Sequence, residues 1–545
     1  MTFKVPDLEE HGQLRRNAGV FSLLLISITS MIGSGWLFGA YHAAQIAGPL
    51  AVWSWVIGAV IILLIALCFA ELSALFPRSG ALVHMSSASH GQTLGHVWGW
   101  MLWLSYVATP AIEATAVVTY ANNYYPHFVK GAGDHTLTGL GLVASGLLVS
   151  VFAMLNMMAV RALLRFNNAI TVWKVIVPII TIFALLWAGH STGNAWTAGS
   201  GTYSVSGIFT ALPLAGIVFS LLGFRTAIDL AGETANPGRS LPIAVVGSVV
   251  LVAIIYVFLQ IAFISALDPA ELKNGWGSLT FAGSTGPFAG LAATLGLTWL
   301  AVILYADAVV SPAGTGLAFV TGGSRILYAV GDTRGGPSML ARVNEAGVPW
   351  IAVGVMWIAG IVFLLPFPAW QLLVGYISSI TVLTYGLGPV ALLVLRKSLP
   401  EADRRFNLPF AGIIAPVAFV ASNLIIFWTG YYTNSILFGI IGVGFVLYAG
   451  YYHLVLRAPR SEFRWRNIAW LLPWFSGMWI LSALGSTGNG YGLVGFWTGT
   501  ALVAVWSVFV LWLALRSALD SSEVLKVMKQ YSSDPETAAQ GTADA

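Results

Sequence analysis

The chain has 545 residues, of which 57% are hydrophobic and only 8% are charged. A soluble domain carries roughly 25% charged residues, so this composition excludes a soluble enzyme, a disordered chain and a nucleic-acid-binding domain. The net charge is only +4, so the positions of the charges say more than their sum. We expect a protein that lies within a lipid bilayer.

Apolar runs recur along almost the whole chain. A membrane-spanning helix needs roughly 20 apolar residues, and these runs are continuous rather than alternating, which argues against a β-barrel. The sequence therefore predicts an all-α polytopic membrane protein with about 14 spans, at 18–47, 49–76, 93–122, 138–159, 168–189, 207–231, 241–267, 288–321, 349–366, 370–396, 411–430, 434–456, 467–485 and 492–516.

Polar segments lie between and beyond these runs. Residues 1–17 are polar and lack a small-residue cleavage site, so we expect an N-terminal segment that is not a removable signal peptide. Residues 190–206 are rich in Gly, Ser and Thr and predict an external loop. Residues 517–545 are polar and predict a mobile tail.

The basic residues predict the orientation. With the N-terminus inside, 21 of the 25 lysines and arginines fall on the cytoplasmic side, and only Lys130 and Lys273 fall outside. This asymmetry matches the positive-inside rule. We therefore expect a prokaryotic cytoplasmic membrane protein with both termini, 1–17 and 517–545, in the cytoplasm.

Two spans contain helix-breaking stretches. Ser30–Trp36 places Gly33 and Gly35 in the middle of the first span, and Phe219–Arg225 interrupts the sixth. Broken helices in spans one and six favour two inverted five-helix halves, as in secondary transporters, where freed helix ends bind charged groups. Alternatively, the small residues allow close helix crossings.

Four motifs resemble those of the amino acid–polyamine–organocation (APC) permeases. They occur in the family's order within about residues 15–456, at the first helix, the end of the second, the segment after the sixth and the end of the eighth, as IGSGW (32–36), AELSALFPRSG (70–80), GETANPGR (232–239) and SRILY (324–328).

The resemblance implies a LeuT-like fold that moves an amino acid by alternating access. The ten-helix core would be 18–396, with inverted repeats of about 18–189 and 207–396, and accessory helices 11–14 at 411–516. Lys174 and the stretch 297–313 look closest to the aspartate–proton symporter branch.

Ionisable residues inside a membrane are costly and suggest function. The resemblance implies that Lys174, in the fifth span, reaches the broken first helix in place of a sodium ion and carries a proton. Glu113, in the third span, is a second proton candidate, or it binds the substrate ammonium, or it pairs with Lys174 or Arg225. A static buried ion pair is the alternative for Lys174.

Two further charges lie in the sixth and eighth spans. Arg225 stands where the family usually has an acid, and its guanidinium could hold a substrate carboxylate with two hydrogen bonds. The alternative is an ion pair with Glu113 or Asp229. Asp307 shares a helical face with Ser311 and Gly314, and it could pair with Lys174 and join the proton coupling.

Other residues match family positions. Phe219 occupies the aromatic gate position, although ordinary packing is the alternative. Glu71 and Glu233 lie at predicted cytoplasmic helix ends, as gate or scaffold residues that pair with arginines. The predicted substrate-binding residues are Met31, Ile32, Gly33, Ser34, Gly35, Glu113, Phe219, Ser220, Leu222, Gly223 and Arg225.

The sequence thus predicts a transporter rather than an enzyme, with proton-coupled symport of aspartate or glutamate. No Gly-Lys-Ser/Thr phosphate loop occurs, so a proton gradient rather than ATP or another cofactor is the expected drive. The histidines are scattered, and His84, His90 and His96 are expected in a loop without metal. Alternatives are an amino-acid exchanger, a proton symporter of neutral amino acids and, remotely, a membrane enzyme or channel.

Overall fold

The apolar runs form α-helices, in which backbone groups bond within their own segment, as a hydrocarbon environment requires. Residues 1–17, Glu233 and 533–545, which carry earlier predictions, lie outside the described residues. The computed structural model describes residues 19–75, 81–130, 136–158, 160–189, 195–199, 201–231, 234, 236–332, 336–344, 347–366, 368–402, 404–455, 457 and 463–532.

Each of the 14 predicted spans contains at least one helix, which confirms the all-α polytopic fold. By length and composition, 11 described helices could cross a membrane, or 12 with one bent pair. That count takes Ser34–Leu75 as one helix and leaves out the shorter Trp350–Leu364, which are divided and included in the 14 spans that follow. In chain order the spans are Val20–Met31 with Ser34–Ala47, Ala51–Leu75, Gln92–Ala121, Gly139–Met158, Val160–Gly189, Val205–Leu214 with Phe219–Asp229, Pro237–Ala266, Thr298–Asp332, Trp350–Leu364, Trp370–Ser398, Ala411–Thr429, Tyr431–Val455, Trp465–Leu484 and Phe496–Arg516.

The first and sixth spans are both broken, as predicted. The first helix ends at Met31 and resumes at Ser34. In the sixth span the two helices are bent by 52°. Gly216 has a φ of +83°, which residues with a side chain rarely adopt. The sixth break therefore precedes the predicted stretch Phe219–Arg225, which itself forms helical turns.

The predicted eighth span, 288–321, is displaced from the observed helix. The helix runs from Thr298 to Asp332, and Pro287–Thr294 forms a separate short helix. Gly296 has a φ of +76°, and this left-handed residue ends the short helix. The prediction treated the two helices as one span because both segments are apolar.

The expectation of a mobile tail from residue 517 is wrong for its first part. Ser521–Ser532 is a helix that packs against the helix Ala81–His90, which links the second and third spans. Just before it, the Leu519 amide donates to the Ser89 carbonyl oxygen at 3.0 Å. Val524 is fully buried.

The loop predicted around the three histidines is also wrong. His84 and His90 lie in the helix Ala81–His90, and His96 lies in the third span. His90 contacts Ser89 and the Ala514 carbonyl oxygen, and burial lowers its pKa to about 4. A neutral ring therefore anchors this linker helix to the fourteenth span.

The third and tenth spans form the centre of the molecule. In each, 94% of the apolar stretch is buried, against 17% in Tyr431–Val455. The eighth span packs along the third, and the seventh along the second. The breaks of the first and sixth spans lie beside this centre, which positions the candidate site.

Candidate functional site

The two broken spans meet where both are interrupted. A Cβ on Gly223 would lie 2.5 Å from the Ser30 carbonyl carbon and 2.6 Å from the Met31 amide nitrogen, so only glycine permits this approach. A Cβ on Gly35 would instead overlap the side chain of Ser220 in the sixth span. Glycines that the sequence singled out therefore allow backbone contact between spans one and six.

A cavity lies at this meeting point. Seven of the predicted binding residues line it, whereas Ile32, Ser34, Gly35 and Ser220 do not. It is lined by Ser30, Met31, Gly33, Thr109, Glu113, Phe219, Leu222, Gly223, Arg225, Thr315, Phe319, Ile377 and Thr381.

Glu113 binds the start of the second half of span one. Its Oε2 accepts a hydrogen bond from the Ser34 amide at 2.9 Å, and the carboxyl group is completely buried. A Cβ on Gly33 would lie 2.6 Å from Oε1. Negative charge is favourable at a helix N-terminus, so the chain supplies its own carboxylate to the backbone predicted to hold a substrate carboxylate.

Lys174 reaches the broken first span. Its fully buried ammonium donates to the Thr29 carbonyl oxygen at 3.1 Å and to the Thr315 hydroxyl at 2.9 Å. The lysine therefore connects the fifth, first and eighth spans. It interacts electrostatically with Glu113 and Asp307, but among the described residues no ion pair joins it to either acid.

Asp307 has other partners. Its Oδ1 accepts from the Trp173 indole at 2.8 Å and from the Ser311 hydroxyl at 2.7 Å. The predicted face with Ser311 is therefore present. The direct pairing with Lys174 is not, because Thr315, two helical turns beyond Asp307, occupies the place beside the ammonium.

Arg225 lines the cavity and lies against two aromatic rings. Its guanidinium is 4.0 Å from the Tyr106 ring centroid and 5.7 Å from that of Tyr385, and it donates to the Ser105 hydroxyl at 3.1 Å. Asp229 accepts instead from the Tyr106 hydroxyl. Neither proposed ion pair, with Glu113 or with Asp229, occurs among the described residues, which leaves guanidinium donors for a ligand.

Phe219 lies beside Trp370 of the tenth span. The centroids of the two rings are 6.5 Å apart and the rings meet edge-to-face. The Trp370 indole also donates to the Ser34 hydroxyl at 2.9 Å. Phe38 packs on the same indole. The aromatic gate predicted at Phe219 is thus one ring of a cluster that joins spans one, six and ten.

Sequence reasoning missed three polar groups at the site. These are Thr315, Trp370 and Tyr256, whose hydroxyl donates to the Met31 carbonyl oxygen at 2.9 Å. The spacing of Asp307, Ser311 and Thr315 offered a signal for Thr315. No local pattern distinguished Trp370 and Tyr256 from the rest of the 22 tryptophans and 18 tyrosines in the chain.

Glu71 forms a buried network away from the cavity. Its carboxylate pairs with Arg396 at 2.5 Å and Arg404 at 3.2 Å, and it accepts from the Leu408 amide at 2.8 Å. The predicted pairing with arginines is therefore present. Glu71 lies at the end of the second span, Arg396 lies in the last turn of the tenth and Arg404 follows it, so the network links these two helices.

Replacing Glu71 with alanine is expected to destabilise the protein by about 3–5 kcal/mol, because it leaves arginines without their buried partner. The apparent melting temperature in detergent measures this. Arg464→Ala is the control, because its pair with Glu523 is about 40% exposed and contributes at most about 1 kcal/mol. An equal fall in the melting temperature of both variants would refute a stabilising role for the network.

Metal ligation has no support within the described ranges. They contain no group of three His, Cys, Asp or Glu side chains that could hold a metal ion. The charged groups at the site are the side chains of lysine, arginine and acidic residues.

Comparison with known proteins agrees with this architecture. Residues 19–453 match the amino acid permease family. The chain is 38% identical over 534 residues to the glutamate/serine transporter AimA of Bacillus subtilis (strain 168), covering 96% of this chain and 97% of the relative. It is 32% identical over 520 residues to the aspartate-proton symporter of the same organism, covering 95% and 99%.

The name of a more distant relative refers to a different class of amino acid. The branched-chain amino acid permease BcaP of Bacillus subtilis (strain 168) is 27% identical over 454 residues, covering 80% of this chain and 92% of the relative. The chain belongs to the amino acid permease family. It is an integral membrane transport protein of the APC superfamily, not an enzyme, and its broken spans fit the LeuT-like fold.

Proposed function

We propose that this permease is a proton-coupled symporter of acidic amino acids that works by alternating access. The observation that carries the proposal is the buried Lys174, which bonds the broken first span. A titratable cation at this place can couple proton binding to helix movement. The printed names of two relatives, a glutamate/serine transporter and an aspartate-proton symporter, support the same substrate class.

In the proposed binding mode, the substrate's α-carboxylate lies at the helix N-terminus formed by Gly33, Ser34 and Gly35. The α-ammonium lies near the Met31 and Phe219 carbonyls. The side-chain carboxylate binds the guanidinium of Arg225, a residue that lines the cavity. A fork of donors on a planar cation suits a carboxylate.

In the proposed coupling, Lys174 holds the Thr29 carbonyl in one state and releases it in the other. Glu113 and Asp307 lie near enough to influence that ammonium. Protonation must change the relative stability of the outward- and inward-facing states for coupling to occur. In the proposed orientation both termini are cytoplasmic, as the basic residues favour.

Uptake into proteoliposomes tests this function. Labelled aspartate is expected to accumulate when an inward proton gradient is imposed, and a protonophore should abolish accumulation. Glutamate, serine and leucine as competitors would define the substrate class. Uptake that ignores the gradient but requires internal amino acid would instead identify an exchanger.

A further inference from the structure

The helix N-terminus at Ser34 is already occupied by a side chain of the protein. Glu113 Oε2 accepts the Ser34 amide hydrogen at 2.9 Å. The carboxylate lies against Gly33 so closely that a Cβ there would be 2.6 Å from Oε1. Glu113 and Gly33 both line the cavity.

The second oxygen of this carboxyl group is not used in the contact with the helix. Glu113 Oε1 is completely buried and has no hydrogen-bond partner. A buried, unpaired carboxylate oxygen is costly. Binding by one oxygen alone therefore holds the side chain less firmly than a fully bonded site would.

Charged and titratable groups of four other spans interact with Glu113 or with its neighbours. Lys174 of the fifth span interacts with it electrostatically, as does Tyr256 of the seventh. Asp307 of the eighth span faces the same lysine, and Arg225 of the sixth lines the same cavity. The groups around the cavity are therefore of both signs, two cations and one further carboxyl group.

We infer that Glu113 is a tethered competitor for the substrate's α-carboxylate, and that a proton decides which carboxylate binds the Ser34 amide. The inference rests on the proposed function. In the empty site the ionised Glu113 binds the helix. A proton taken up from the solution neutralises Glu113, which leaves the amide, and the substrate carboxylate accepts the same hydrogen bond.

The exchange conserves charge at the helix N-terminus. One carboxylate is neutralised and another takes its place, so the site that Lys174 and Arg225 face keeps the same net charge. Substrate and proton therefore bind together, and each raises the affinity for the other by the same factor. Without the proton, the substrate must displace a charged group or share the site with it.

Binding to the purified wild-type protein gives the first test. Aspartate binding, measured by calorimetry in two buffers of different ionisation enthalpy, is expected to take up about one proton per substrate. Its Kd should rise between mildly acidic and mildly alkaline pH, by a factor within the usual range for coupled ligands of about 5–150. Proton-independent binding with a constant Kd would overturn the inference.

Glu113→Gln gives the second test, because glutamine resembles the protonated acid. The variant is expected to bind aspartate at alkaline pH as tightly as the wild type does in acid, without proton uptake. Asp307→Asn is the matched control, since it removes another buried carboxylate near Lys174 that does not touch Ser34. It should not give the gain in affinity at alkaline pH.

The outcomes separate the two proposals. If the wild type shows no proton-driven aspartate uptake, the proposed function fails. If it does, but Glu113→Gln binds aspartate more weakly at every pH, or Asp307→Asn gives the same gain, only the competition fails. Size-exclusion profiles and melting temperatures check that each variant is folded, and the wild-type measurement stands if Glu113→Gln does not fold.

Discussion

Replacing Lys174 with alanine is expected to abolish proton-driven accumulation, with uptake lowered at least about tenfold, in line with typical coupling factors. The variant loses the ammonium that bonds the Thr29 carbonyl oxygen and the Thr315 hydroxyl. The first span then lacks the titratable link to the fifth and eighth spans. Uptake of labelled aspartate with and without a pH gradient measures the effect.

Two comparisons make this result specific. Counterflow exchange, with equal pH on both sides, is expected to persist in Lys174→Ala, because exchange needs no net proton movement. Thr315→Val removes one acceptor of the ammonium but keeps the charge and the bond to Thr29, so it should reduce accumulation only partly. Gradient-driven accumulation by Lys174→Ala at the wild-type level would exclude the lysine from coupling.

Replacing Arg225 with alanine is expected to weaken aspartate binding about 100-fold, which corresponds to about 2.7 kcal/mol. Removing one member of a buried charge pair typically costs about 2–5 kcal/mol. A neutral amino acid such as serine makes no such pair and should lose far less affinity. The ratio of aspartate to serine inhibition constants in an uptake assay measures the difference.

Ser105→Ala is the matched variant for Arg225. It removes the hydrogen bond to the guanidinium but leaves the charge, which still lies over the Tyr106 ring. The aspartate-to-serine ratio should therefore change much less than in Arg225→Ala. An equal loss for aspartate and serine in Arg225→Ala would mean that this arginine supports the helix crossing rather than the choice of substrate.

The fold could be predicted well because membrane helices depend on local composition. Continuous apolar runs and the glycines at Gly33 and Gly35 marked both the spans and the first break. The errors arose where two apolar segments adjoin, as at Gly296, and where a short amphipathic helix has low overall hydropathy. In that helix, Val524, Leu525, Val527 and Met528 recur at helical spacing, which was an available signal.

The residues of the site could be predicted better than their pairing. Lys174, Glu113, Arg225 and Asp307 were identified because a charge within an apolar span is rare. Which groups touch depends on helix rotation and crossing, which the sequence does not state. Glu113 therefore bonds the Ser34 amide rather than Lys174, and the aromatic partners of Arg225 had no local signal.

The docked C-terminal helix has a practical consequence for labelling. Because Ser521–Ser532 packs on Ala81–His90, a fluorophore attached within this helix, for example at the exposed Ser522, lies near the linker between the second and third spans. That linker also contacts the end of the broken sixth span. A donor dye there, paired with an acceptor elsewhere, would report by energy transfer on the same helices that enclose the cavity.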